Sequence, residues 1–240
     1  MRRFFAENSV LDGDTVILTG DEAKHISRVL RMRAGDEVLL INGEGTECKA
    51  RIETVDEGSV TLVITERNSC GADPEVDITL FQCLPKQGKM EVIIQKCVEL
   101  GVSKIVPVVS KRCVVKLDGK DNKLVRWNKV AREAAKQSGR ASVPQVDTPA
   151  KLENIDLTKF GLVLIAYENE SETTLRSVLR GRAVSGPIAV FIGPEGGFES
   201  GEVYSVIERG GVAVSLGRRI LRTETAGMAM LAQIMYELEQ

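Results

Sequence analysis

Beyond residue 74 the chain alternates short apolar runs with amphipathic stripes at helical spacing, and that alternation admits few folds. Ile78 to Cys83, Lys104 to Val109, Leu162 to Ala166, Ile188 to Ile192 and Val212 to Ser215 read as strands. Between the first two, Met90, Ile93, Ile94, Cys97 and Val98 form one helical stripe, and Gly101 stands where such a helix would stop. A long helix is predicted from an Asp121 cap to Ser138, ended by Gly139, and a last one from about Thr225 to Leu238. Strands alternating with helices imply an α/β fold, a mainly parallel sheet with helices on both faces.

The first 66 residues or so carry a different period. Cys48, Ala50 and Ile52 alternate with Glu47, Lys49, Arg51 and Glu53, and Val60, Leu62 and Ile64 repeat the pattern. Asn42-Gly43-Glu44-Gly45 is a turn, and one helix is expected from about Glu22 to Arg31. Short strands at close spacing predict a small β-barrel. Arg67 to Pro74 has no periodicity and reads as a linker. The domains are therefore expected at residues 1–70 and 71–240.

Composition excludes several classes. A net charge of −2 argues against indiscriminate coating of nucleic acid, though it leaves room for a local basic face. Five cysteines form no CxxC pair and there is one histidine, so no metal site is expected. Cys48 and Cys97 fall on apolar faces and read as core residues. The basic N-terminus reaches Glu7 and Asn8 too soon for a signal peptide, and no window is long enough to span a membrane. A reduced, cytoplasmic protein is expected.

Charge is unevenly placed. Residues 111–140 hold ten basic and three acidic side chains. Lys123, Arg126, Lys129, Arg132, Lys136 and Arg140 step by three or four residues along one helix side, and Trp127 reads as its core contact. On the first helix Lys24, Arg28 and Arg31 share a side, with His25 beside them and Arg33 just after; His25 reads as a phosphate or solvent contact. Two basic faces suit a polyanion, and RNA is favoured because no recognition helix for duplex DNA is evident. Lys24, Arg28, Arg31, Arg132 and Arg140 are the expected RNA contacts.

Two glycine-bearing loops follow buried strands, where ligands of open α/β sheets bind. Gly193-Pro194-Glu195-Gly196-Gly197 is one; Leu216-Gly217-Arg218-Arg219-Ile220-Leu221-Arg222-Thr223 is the other. Neither has the glycine spacing of a dinucleotide fold, nor the Gly-Lys-Ser/Thr of a P-loop. Glycines permit close backbone approach, Ile220 and Leu221 offer an apolar wall, and Thr223 is placed to cap the final helix. Glu195 could meet a ribose hydroxyl or an ammonium. The set suits an adenine nucleoside without phosphates, which favours S-adenosylmethionine over NAD or ATP.

The GPEGGF and LGRRILRTETA segments, with His25 to Arg31, Gln95 to Val102 and Glu133 to Arg140, resemble the knotted SPOUT-superfamily RNA methyltransferases. The likeness is closest to the family that methylates N3 of a uridine in 16S, small-subunit ribosomal RNA (the RsmE type), and it spans the chain. It implies a PUA-like N-terminal barrel, a C-terminal α/β domain with a trefoil knot, and a homodimer with the cofactor in the knot. It implies a cofactor wall of Gly193, Glu195, Gly196, Leu216, Gly217, Ile220, Leu221 and Arg222, with Ala166 and Tyr167 as a third side. Arg222 and Arg140 are the candidate catalytic cations, with Arg3 behind them. Cys113 departs from the family's Ser-Lys-Arg-Ser pattern. The implied substrate is ribosomal RNA, free or within the assembled small subunit. The alternatives are an inactive RNA-binding or ribosome-assembly protein of the same fold and an NAD-dependent oxidoreductase.

Overall fold

The computed structural model describes residues 1–6, 11, 13–69, 71–86, 88–113, 122–181 and 183–239, and the expected Asp121 cap lies outside them. The chain forms two compact units: Met1–Asp73 with Ala135–Val143, and Pro74–Ala134 with Pro144–Gln240.

In the first unit, β1 (Arg2–Phe5), β2 (Thr15–Thr19), β3 (Glu37–Ile41), β4 (Thr46–Val55) and β5 (Ser59–Ser69) pair in the order β1-β3-β4-β5-β2. The alternation seen in the sequence decides which side chains turn inward. Phe4, Val16, Leu18, Val38, Leu40, Cys48, Ala50, Ile52, Val60 and Leu62 share one core. β5 runs through Arg67, Asn68 and Ser69, so the expected linker starts later than its composition implied.

The helix α1 (Gly20–Lys24) continues as a wider turn over His25–Val29, where the Leu30 N–H donates to the His25 carbonyl at 2.9 Å. It ends at Arg31, whose φ of 53° is left-handed. Ala23 and Ile26 join the core, whereas Lys24, Arg28 and Arg31 are exposed. His25 stands edge-on to Phe4, ring centroids 6.0 Å apart.

Residues 135–143 are tied into this unit by buried and half-buried charge. Lys136 Nζ lies 2.8 Å from Glu22 Oε2 and 5.0 Å from the centre of the Phe4 ring. Arg140 is 3% exposed. Its guanidinium donates to Asp73 Oδ1 and to Ser142 Oγ, and Asp73 also accepts from the Ser142 backbone N–H. Arg140 is thus a buried structural cation, not the exposed RNA contact that helical spacing indicated.

In the second unit, β6 (Ile78–Cys83), β7 (Lys104–Val109), β8 (Gln145–Val146), β9 (Ala150–Lys151), β10 (Leu162–Ala166), β11 (Ile188–Ile192) and β12 (Val212–Val214) make a seven-stranded sheet. The order is β12-β10-β11-β6-β7-β8, with β9 beside β7, and every pairing is parallel. Phe81 and Phe191, partners in register, stack at 4.5 Å. One face buries Val203 and Val206 of α5 (Ser200–Glu208) with Leu152, Ile155 and Leu157. Elsewhere α2 (Lys89–Glu99) packs on α6 (Thr223–Leu238), burying Ile93, Ile94, Cys97, Met230, Leu231 and Ile234.

The other helices are α3 (Lys123–Ser138) and α4 (Leu175–Arg180). Trp127 on α3 is 4% exposed, as its core reading required. Gly101 (φ 93°) and Gly139 (φ 85°) end α2 and α3 in the left-handed conformation that glycine tolerates best. No helix among the described residues is long and apolar enough to cross a membrane.

Breaking a buried ion pair by removing one partner strands the other charge, at a typical cost of about 3–5 kcal/mol. Asp73→Ala should therefore lower the unfolding free energy obtained from urea titration by about that amount, seen as a lower midpoint. An unchanged midpoint would show that Arg140 finds equal compensation without Asp73.

Candidate ligand pocket

Strands β12, β10 and β11 are neighbours and run parallel, so the loops leaving their C-terminal ends converge. They enclose a cavity of about 570 Å³. That size is ordinary for a small-molecule site. Ala166 and Tyr167 line it from the end of β10, Gly193, Glu195 and Gly196 from the loop after β11, and Leu216, Gly217, Ile220, Leu221 and Arg222 from the loop after β12. The eight residues expected as the cofactor wall and the two expected as its third side thus line one cavity. Lys89 and Glu168 also line the cavity and carry no local sequence signal for it.

Hydrogen bonds lock the two glycine loops to each other. Thr223 Oγ1 donates to the Gly193 carbonyl at 2.6 Å and accepts from the buried Gln82 amide at 2.9 Å. The expected capping role of Thr223 is therefore replaced: Arg222 occupies the N-cap position, without a side-chain cap, and Thr223 opens α6. Its hydroxyl is committed to the neighbouring loop. Gln82 Oε1 is buried with no partner among the described residues, so this junction retains one unsatisfied acceptor.

An ion-pair bridge reinforces the junction. Lys89, the first residue of α2, places Nζ 3.1 Å from Glu195 Oε1 and 3.1 Å from Glu224 Oε2. The Lys86 backbone N–H donates to Glu195 as well, at 3.0 Å. Burial alone would raise the Glu195 carboxyl, but hydrogen bonds from its own N–H and that of Lys86, with the Lys89 ammonium, hold it below the usual carboxylate range. Glu224 is lowered first by its own backbone N–H, against some burial, and then by Lys89 and Arg222. Lys89 is raised by Glu224 and then Glu195. Held low and paired with Lys89, Glu195 ties the loop after β11 to α2.

The glycines differ in what they permit. Gly197 has a φ of 67° and Gly217 one of 117°, whereas Gly193 and Gly196 avoid the left-handed region. A Cβ at Gly193 would press on Phe198 at 3.2 Å and on the Gly197 backbone at 3.3 Å. At Gly196 it would meet Arg112 at an ordinary 3.5 Å. Close packing therefore demands glycine at 193 more than at 196.

Arg112 Nη1 also donates to the Gly196 carbonyl at 2.8 Å, and Cys113 secures the segment carrying it. Cys113 Sγ accepts from the Ser110 backbone N–H at 3.4 Å and lies 3.2 Å from Ser110 Oγ. Hydrogen bonding from the Cys83 thiol, and from Ser110, outweighs burial and holds Cys113 down to about 6. Burial raises Cys48, and it pushes Cys97 up to about 12, in keeping with their place in the core.

The basic surfaces are less free than their spacing implied. Arg126 pairs with Glu91 at 3.0 Å, and Lys136 and Arg140 are committed as described above. Arg132 is exposed on α3. Lys24, Arg28 and Arg31 are exposed and form no ion pair with a described residue. Arg222 is exposed at the pocket. Of the two candidate catalytic cations, Arg222 is among the residues lining the pocket, with Arg218 and Arg219, and Arg140 is not.

The Lys89 bridge sets a pH dependence. Carboxyls depressed in the folded state contribute stability above their unfolded values, near 4.5, and lose it as pH falls through the lower folded values. The thermal midpoint should fall below about pH 4.5, and Lys89→Met should flatten that fall. Equal acid sensitivity of wild type and variant would remove the bridge from the account.

Residues 72–235 match the RNA methyltransferase domain family, and residues 18–65 match the RNA methyltransferase PUA domain family. The chain is 34% identical to ribosomal RNA small subunit methyltransferase E of Bacillus subtilis, covering 100% of this chain and 98% of that protein. It is 32% identical to the protein of the same name from Mycobacterium bovis, over 96% and 90%. The crystal structure of a ribosomal RNA small subunit methyltransferase E from Neisseria gonorrhoeae, bound to S-adenosyl methionine, superposes with a TM-score of 0.87 at 33% identity, covering 98% of this chain and 97% of that one. A pocket at the C-terminal ends of parallel strands, a sheet-built N-terminal unit and similarity along the whole length lead to one assignment: the chain belongs to the ribosomal RNA small subunit methyltransferase E family.

Proposed function

We propose that the chain is an S-adenosylmethionine-dependent methyltransferase that modifies N3 of a uridine in small-subunit ribosomal RNA. The observation that carries this reading is the pocket: three strand-end loops, two of them glycine-bearing, closed on each other by the Thr223–Gly193 hydrogen bond. Its walls fit an adenine nucleoside better than a phosphate cofactor. Apolar side chains (Ile192, Leu216 and Leu221) line it beside open backbone at Gly193 and Gly217. A Cβ at Gly193 would press on Phe198 and the Gly197 backbone behind this loop. When bound, the donor supplies an electrophilic methyl group on a sulfonium, and no covalent enzyme intermediate is required.

The protein's share of the chemistry is placement and charge. N3 lies on the Watson–Crick edge of uracil, so the target base must be unpaired or turned out of its stack. The nitrogen also bears a proton, and its loss to solvent water leaves an anion spread over the uracil carbonyls. Arg222, exposed at the pocket and fixed at the N-cap of α6, is the cation we assign to stabilise that anion. Alignment of the nucleophile with the methyl group supplies much of the remaining rate.

In this reading the first unit holds RNA through Lys24, Arg28 and Arg31, and Arg132 adds a contact from α3. The trefoil knot and the homodimer implied by the resemblance belong to the same reading, as does a cytoplasmic setting. The expected domain limits, residues 1–70 and 71–240, separate RNA capture from methyl transfer.

Gly193→Val tests the pocket. Its added methyls should force Phe198 or the Gly197 backbone aside and abolish calorimetric binding of S-adenosylmethionine, while RNA affinity in a filter assay stays within about twofold. Wild-type protein that binds RNA but neither S-adenosylmethionine nor its demethylated product would instead favour the assembly-protein reading.

A further inference from the structure

Glu168 follows Tyr167 at the end of β10 and lines the pocket. Its carboxylate lies over the glycine loop: a Cβ added at Gly197 would collide with it. The absence of a side chain at 197 is what lets this carboxylate reach in. Its electrostatic situation differs from that of its acidic neighbours. Glu195 and Glu224 share Lys89, whereas Glu168 forms no ion pair or hydrogen bond with a described residue. Besides Glu195, the other charged groups lining the pocket are the cations Lys89, Arg218, Arg219 and Arg222. Lys89 is spent on two carboxylates, and the three arginines on the loop after β12 would repel a positively charged ligand.

Resting on the function proposed above, we infer that Glu168 is the specificity residue that makes the pocket prefer the charged methyl donor to its demethylated product. S-adenosylmethionine and S-adenosylhomocysteine share the adenosine and the amino-acid tail. They differ by one methyl group and by the positive charge of the sulfonium. Apolar walls and backbone groups respond weakly to that difference, whereas Glu168, an exposed carboxylate on the pocket lining with no ion-pair partner among the described residues, responds through its charge. The attraction ends when the methyl group leaves, so the same carboxylate favours donor entry and product exit.

Calorimetry with both ligands on wild type and Glu168→Gln tests this. The substitution keeps the shape and removes the charge. Donor affinity should fall by about tenfold, the effect of one nearby partly screened charge, while product affinity changes less than about twofold. Glu168→Asp should restore part of the preference. Equal changes for the two ligands, or none, would overturn the inference while leaving the methyltransferase reading intact. Wild type that binds neither ligand would overturn that reading itself. If the glutamine variant fails to fold, raising salt on the wild type should narrow the gap between donor and product, and a salt-independent gap would equally refute the role.

Discussion

Everything proposed for this chain depends on two loops, thirty residues apart, being held as one surface. The hydroxyl of Thr223 and the carbonyl of Gly193 make the contact at 2.6 Å, with the Gln82 amide behind it. Lys89 adds a second tie between Glu195 and Glu224. Hydrogen bonds between neutral groups contribute about 1 kcal/mol each, and exposed ion pairs less, so no single tie dominates. Their common effect is geometric. Gly193, Gly197 and Gly217 expose backbone to one cavity, and the buried strands behind them fix where that cavity lies.

The parallel sheet makes this economical. Adjacent parallel strands deliver their C-terminal loops to the same edge, so β10, β11 and β12 each contribute one wall. Charge is then distributed by role. Lys89 pairs with the carboxylates that anchor loops, and Glu168, Arg218, Arg219 and Arg222 line the same pocket. Within the first unit, Lys136 and Arg140 are consumed in fastening residues 135–143, while Lys24, Arg28 and Arg31 face outward.

Much of this was legible in the residues. Apolar runs located β6, β7, β10 and β11 because buried parallel strands need continuous hydrophobic sequence. Gly101 and Gly139 marked helix ends because their left-handed conformation strongly favours glycine. The pocket walls were legible through the loops that follow those strands. What escaped was pairing across distance. A basic helix face reads the same whether its lysine is free or paired with Glu22, 114 positions away. Arg140 looked exposed because its partner Asp73 lies 67 positions earlier, in a stretch read as linker. Lys89 and Glu168 gave no signal, since a pocket residue contributed by another element has no local motif. Thr223 was placed at the helix start, but a capping hydroxyl and a loop-bridging one have the same sequence context.

The central claim is that this pocket transfers a methyl group to a defined base of ribosomal RNA. Mass mapping of methylated nucleotides in small-subunit ribosomal RNA, from cells with and without this chain, tests it most directly. The account predicts one N3-methylated uridine present only when the chain is present, and lost again when Arg222 is replaced by alanine. Identical maps from the two kinds of cell would contradict it.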